Sequence, residues 1–330
     1  MTLNNKLVVS ASPHDRSHKT VRSIMLDVII AMIPALVASV IFFGPRALLV
    51  ECVSVGTCVI AEFICRVVMK RNQTIGDLSA VITGLLLAFN LPVNIPLWMV
   101  MIGAVIAIVV VKQFFGGIGQ NFVNPALVGR IVLLTSFPVA MSTWTAPLTW
   151  SMSNLDGLTS ASPLADIHTM VSAGTIPDAT LIEMLIGWRA GCLGETCALA
   201  IILGGIYLIA RKVISPTIPL IYIGTVAAIM LIAGKGNLSF VAYELLGGGL
   251  LLGAVFMATD YTTSPITFKG KIIFAVGCGI ITSLIRIFGN LPEGVSYSII
   301  IMNILVPLIE NITLPKPFGT PKKEKEAKAK

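Results

Sequence analysis

Residues 23–43 read SIMLDVIIAMIPALVASVIFF, an apolar run broken by a single charge, Asp27. A helix crosses a bilayer with about 20 predominantly apolar residues, so this stretch is long enough to span one. Nine more apolar runs follow, at residues 47–69, 77–91, 96–114, 125–138, 194–211, 217–234, 239–258, 271–288 and 294–311. The third and fifth are short, which suits broken helices supported by neighbouring protein. The expected fold class is therefore an all-α polytopic membrane protein of about ten transmembrane helices. Composition agrees: 55% of the residues are hydrophobic and 12% charged, with a mean hydropathy of +0.91, against about 25% charged in a soluble domain.

A net charge of +7 could signal nucleic-acid binding. Here the basic residues crowd the lysine-rich tail and hug the ends of apolar runs, so the membrane accounts for them and no nucleic-acid partner is expected. With the N-terminus in the cytoplasm, Arg16, Lys19, Arg22, Lys70, Arg71, Lys112, Arg211, Lys212, Lys269, Lys271 and the tail lysines fall inside. Only Arg46, Arg189, Lys235 and Arg286 fall outside. The five expected regions are a cytoplasmic segment 1–22, a first membrane repeat 23–138, an extracytoplasmic insertion 139–193, a second membrane repeat 194–311 and a cytoplasmic tail 312–330. The first 20 residues are polar, and no small-residue cleavage site precedes a soluble domain, so no secretory leader is expected.

The two membrane regions match each other. Pro138 and Pro307, Asn121 and Asn290, and Gly84 and Gly253 are each 169 residues apart and punctuate the apolar runs alike. Five spans per half is an odd number, so the second half enters the membrane upside down. Such inverted repeats place their special sites near the midplane, where broken helices meet.

Cysteines 52, 58, 65, 192, 197 and 278 lack CxxC spacing and read as packing residues, and no metal site is expected. His14, His18 and His168 lie outside the spans. Asp27, Glu51, Glu62 and Glu244 lie in or near spans, where an ionised carboxylate is costly unless it reaches the interface; snorkelling and membership of an ion path are both open. No nucleophile with a base, Walker loop or zinc motif is present, so no catalytic side chain is assigned.

Four segments carry motifs. Residues 116–126 read GGIGQNFVNPA; their Asn124-Pro125 pair suits the N-cap and first position of a helix, whose free N–H groups could bind an anion or a polarisable ring. Residues 258–265 read ATDYTTSP, either a capped turn or a cation or flavin site lined by oxygens. Residues 191–196 read GCLGET, with Glu195 placed to begin the sixth span as a carboxylate near a helix N-terminus. Residues 156–162 read DGLTSAS, inside the polar insertion. By composition that last segment is a turn.

Together these motifs, and nearly the whole chain with them, resemble the NqrB/RnfD family, which comprises the membrane-embedded D component of the Rnf complex and its relative in the sodium-translocating NADH:quinone oxidoreductase. Within that resemblance DGLTSAS looks like the sequence at which a flavin transferase moves FMN from FAD onto a hydroxyl through a phosphoester bond. The acceptor is then Ser162, with Asp156, Thr159 and Ala161 completing the attachment motif. Two departures from the commoner family form stand out: Ser162 replaces the usual threonine and Ser160 the usual glycine. Thr159 is the reserve acceptor. The resemblance also implies a second, non-covalent flavin, riboflavin, near the membrane core, and Asn121, Asn124 and Asp260 are the candidates for that or an ion region.

What the resemblance implies is a membrane electron-transfer subunit of a ferredoxin:NAD+ oxidoreductase coupled to Na+ or H+ movement, without turnover of its own. Expected partners are the A, B, C, E and G components of the Rnf complex, the transferase and the lipid bilayer of the cell membrane. The short N-terminal segment favours this branch over the quinone-reducing one. A channel or transporter without redox function is the alternative that the inverted repeat would also suit.

Overall fold

The computed structural model describes residues 19–148, 180–289 and 294–315. Residues Asp156, Thr159, Ala161 and Ser162 lie outside the described residues, as do Asn290 and the lysine tail. Among the described residues the regular structure is helical, and each of the ten expected apolar runs contains a helix.

The first half contains α1 (Val21–Phe43), α2 (Pro45–Val68), α3 (Ser79–Phe89), α4 (Leu97–Gln113) and α5 (Pro125–Ser136), followed by the short α6 (Pro138–Ser142). After the insertion come α7 (Leu181–Ile186), α8 (Ala198–Ala210), α9 (Thr217–Ala233), α10 (Leu238–Leu246), α11 (Leu250–Met257), α12 (Phe268–Phe288) and α13 (Val295–Thr313). Helices α1, α2, α12 and α13 are long and apolar enough to cross a membrane alone. α10 and α11 together are long and apolar enough for one more and are bent by 64° at the break between them, the form of a broken span or a re-entrant loop.

Local chemistry sets these boundaries. Thr20 and Ser23 form a reciprocal capping box that starts α1. Gly44, at φ 73°, ends α1 and begins α2, and Pro45 takes the first helical position, where a missing N–H costs nothing. The short α3 is entered through Leu78 at φ 63° and the short α11 through a glycine break containing Gly248 at φ 62°.

In α1 both faces are apolar. Ala31, Ala35 and Ala38 are buried together with Met32, Phe42 and Phe43, whereas Ile30, Ile33, Val37 and Ile41 are exposed, so small residues let this helix approach its neighbours and larger ones fill the core. Gly84 shows how close that packing becomes. A Cβ there would stand 2.7 Å from the Cα of Val55, so α2 and α3 meet backbone to backbone. A Cβ on its counterpart Gly253 would meet a side chain instead, Cγ1 of Val295. The pairings repeat as well: α2 packs on α4 as α9 packs on α12, and α4 packs on α5 as α12 packs on α13. α1 and α8 pack against each other across the two halves.

Candidate functional site

Two of the four motif segments meet at one cavity of about 120 Å³ between the halves. Its apolar wall includes Val28, Ile82, Leu86 and Phe256, and its polar wall includes Asn121, Asn124, Asp260 and Lys112. The three residues singled out from sequence are thus brought together although 139 positions separate Asn121 from Asp260.

Asn124 is the N-cap of α5. Its Oδ1 accepts from the N–H groups of Ala126 (3.1 Å) and Leu127 (3.4 Å), and its Nδ2 donates to the carbonyl of Met257 at 3.3 Å. One side chain therefore ties the start of α5 to the end of α11. Asn121 Nδ2 donates to Thr262 Oγ1 at 3.3 Å, joining the two motifs directly. Asp260 accepts from the hydroxyls of Thr262 (3.2 Å) and Thr263 (3.3 Å), so the segment is a capped turn that also lines the cavity. Burial pushes the Asp260 carboxyl above its ordinary value; the bonds from Thr262 and Thr263 and the charge of Lys112 hold it back.

The wall next to Asp260 ends in a buried ion pair. Lys112 Nζ donates to Glu62 Oε2 and to Ser79 Oγ, each at 2.7 Å, while Thr74 Oγ1 donates to Glu62 Oε1 at 2.6 Å. Lys112 sits in the π-helical end of α4, Ile106–Gln113, and the cavity residue Phe256 sits in the π-helical end of α11. Such wide turns inside a helix commonly mark functional positions.

A second buried cation, Arg286, lies near the end of α12. It donates to Glu244 Oε2 (3.1 Å) and to the carbonyls of Glu244 (2.7 Å) and Gly247 (3.2 Å), the freed C-terminal carbonyls of α10. A break inside a membrane helix is tolerable when its freed carbonyls find such partners. On the other side of the break Glu195 Oε2 lies near Gly249, the N-cap of α11, and accepts no hydrogen bond.

Glu195 lies just before α8, as the sequence suggests, and its Oε1 accepts from the Cys192 N–H at 3.0 Å rather than from the first turn of that helix. Around it Arg130 Nη1 donates to Asn90 Oδ1 at 2.5 Å, Cys192 Sγ lies 3.4 Å from the Asn90 carbonyl, and Arg189 donates to the carbonyls of Glu195 and Thr196. Burial raises the Cys192 thiol well above its ordinary value, which suits a packing role.

Lys112, Arg189 and Arg286 count as flanking charges in the sequence but are buried and partnered in the fold. Arg130 and Asn303, which no motif marks, join the same layers. The Asn303 amide, with its oxygen toward the Asn124 N–H (3.2 Å), donates to the Thr263 carbonyl at 3.0 Å. The signal for both is a polar group in the middle of an apolar helix. Among the described residues no cluster of His, Cys, Asp or Glu has the form of a metal site.

Residues 8–319 match the sequence profile of the NQR2, RnfD, RnfE family. The chain is 46% identical to the D component of the Na(+)-translocating ferredoxin:NAD(+) oxidoreductase complex of Acetobacterium woodii, with 98% of each chain covered. It is 43% identical to the D component of the proton-translocating ferredoxin:NAD(+) oxidoreductase complex of Clostridium ljungdahlii, over 96% of this chain and 97% of that one. It is also 37% identical to the D component of the ion-translocating oxidoreductase complex of Stutzerimonas stutzeri, over 91% and 92%. With a match that runs through both halves and the insertion between them, the chain belongs to the NQR2, RnfD, RnfE family.

Proposed function

We propose that this chain is the membrane electron-transfer subunit of a ferredoxin:NAD+ oxidoreductase that couples flavin-mediated electron flow to Na+ or H+ translocation. The observation that carries this reading is end-to-end similarity to the D components of complexes with that activity, with 98% of both chains aligned at 46% identity. The relatives' names divide between sodium and protons, so the ion stays open between the two.

In this reading Ser162 carries FMN through a phosphoester, with Asp156, Thr159 and Ala161 forming the surface that the flavin transferase recognises. The insertion faces the extracytoplasmic side of the cell membrane and both termini face the cytoplasm, as the distribution of lysine and arginine favours. Partners are the A, B, C, E and G components of the Rnf complex.

The residues lining the cavity match the chemistry of a flavin ring, and its volume of about 120 Å³ holds part of riboflavin and not the whole molecule. Apolar walls from Ile82, Leu86 and Phe256 offer faces to a flat ring system. The Asn121 and Asn124 amides, Asp260 and Lys112 offer donors and acceptors for the polar edge of such a ring. Bound flavins supply the redox chemistry; the protein holds and orients them and sets the charge around them. Lys112, restrained by Glu62 and Ser79, would place a fixed positive charge at the cavity wall.

The test is flavin extraction from the purified complex. One flavin should be released on denaturing this polypeptide, and one should stay attached to it. Asn124→Leu should lower the released fraction and the ferredoxin-dependent reduction of NAD+ while leaving the attached fraction in place. A polypeptide with neither flavin would favour a channel or transporter without redox function.

A further inference from the structure

The buried face of α2 is polar at almost every turn. Glu51, Ser54, Cys58, Glu62 and Arg66 follow one another at steps of three or four residues, and all five are buried. That spacing lines them up as one stripe. Glu51 and Glu62 stand eleven residues apart, about 16 Å along a helix.

The two carboxylates are held differently. Glu62 has an ammonium partner, Lys112. Glu51 is 2% exposed and pairs with no cation among the described residues. Its Oε1 lies 2.6 Å from Ser39 Oγ on α1, and its Oε2 is buried with no hydrogen-bond partner.

Counting hydrogens decides the state of this group. Ser39 Oγ also lies 2.7 Å from the carbonyl of Leu36, which can only accept. A serine hydroxyl has one hydrogen, yet two short contacts each need one. A proton on Glu51 supplies the second: the carboxyl donates to Ser39 Oγ, and Ser39 donates to Leu36 O. Protonation also leaves Oε2 as a neutral carbonyl oxygen, far cheaper to bury unpartnered than half of an ionised carboxylate.

The surrounding elements offer no compensating charge. On α1 the charged side chains are Arg22, which is exposed near the start of the helix, and Asp27, which is bonded to Tyr207 and Arg211. α3 has no titratable side chain, and α4 contributes Lys112, already held by Glu62. The turn Ile75–Asp77, also packed on α2, brings Asp77 near the Glu62 end. On α2 itself Arg46 donates to the Ile95 carbonyl, Cys52 is exposed and Cys58 lies a further turn along.

We propose that Glu51 is a proton-exchanging carboxyl, protonated at rest: its O–H donates to Ser39 Oγ, release of that proton leaves a carboxylate, and uptake of one restores the neutral acid.

Infrared difference spectroscopy on the purified complex, wild type against Glu51→Gln, tests this. The expected result is a carboxylic-acid C=O band at neutral pH, shifted in D2O, that the variant lacks. Loss of a carboxylate band instead, or identical spectra, overturns the proposal. Carbodiimide labelling of the wild-type complex followed by peptide mass spectrometry gives the same answer if the variant does not assemble: an adduct on Glu51 that fades at alkaline pH is expected, and an unlabelled Glu51 overturns it. In proteoliposomes, Glu51→Gln should keep electron transfer under uncoupled conditions and lose proton or sodium movement per NADH several-fold; unchanged coupling assigns Glu51 a structural role and overturns the proposal. This last arm rests on the electron-transfer reading, whereas the first two require no flavin, so failure of either reading can be told apart.

Discussion

Lys112 Nζ lies 2.7 Å from Glu62 Oε2, with side chains 3% and 1% exposed, across fifty residues of sequence. Removing one partner of such a pair strands a buried charge, at a cost of about 3–5 kcal/mol. Lys112→Met and Glu62→Gln should each lower the thermal midpoint of the detergent-purified protein sharply. The double variant should lose less than the sum of the two, because it leaves no charge stranded. Additive losses would show that the pair is not coupled.

Arg286 is not replaceable by lysine. Its planar fork reaches two backbone carbonyls of the broken span and the Glu244 carboxylate at once, a geometry a single ammonium does not reproduce. Arg286→Lys keeps the charge but frees at least one buried carbonyl, so a loss of about 1–3 kcal/mol is expected. Thermal unfolding followed by intrinsic fluorescence measures it, and wild-type stability would show that the fork is dispensable.

Gly84 and Gly253 occupy matching places in the two halves but should not respond equally to alanine. At Gly84 the obstacle is the Val55 backbone, which cannot step aside; at Gly253 it is the Val295 Cγ1 methyl, at the end of a side chain. Gly84→Ala should cost at least the ~1–3 kcal/mol of an overpacked core, and Gly253→Ala less. The order of their thermal midpoints checks this directly.

Helix number and the short third and fifth elements are legible in the sequence because apolar run length and Pro or Gly punctuation are local signals. The Asn124 cap is legible for the same reason: an N-cap is read from adjacent residues. Lys112 and Arg286 are not, because a basic residue near the end of an apolar run looks like a flank until its partner is known. Those partners, Glu62 and Glu244, lie 50 and 42 residues away. The bond of Glu195 is not legible either, because its Oε1 turns back to the Cys192 N–H within the loop before α8. Motifs single out Asn121, Asn124 and Asp260, and only the fold shows that they share one cavity.

Asp260 gives the protein a pH dependence of known sign. Its carboxyl is raised in the folded state by burial, so the folded protein binds the proton more tightly than the unfolded chain. The corresponding stability is fully present below the ordinary aspartate value and is lost as pH rises through the elevated one. Wild type should therefore fall relative to Asp260→Asn as pH increases across that window, in thermal midpoints measured pH by pH. A constant difference would remove Asp260 as the cause.

Peptide mass mapping of residues 139–193 from the natively matured complex tests the electron-carrier role most directly. An FMN phosphoester is expected on the peptide containing DGLTSAS, located at Ser162 by fragmentation and abolished by Ser162→Ala. An unmodified peptide from a strain with a working flavin transferase would contradict that role, and an adduct that survives Ser162→Ala would move the attachment to Thr159.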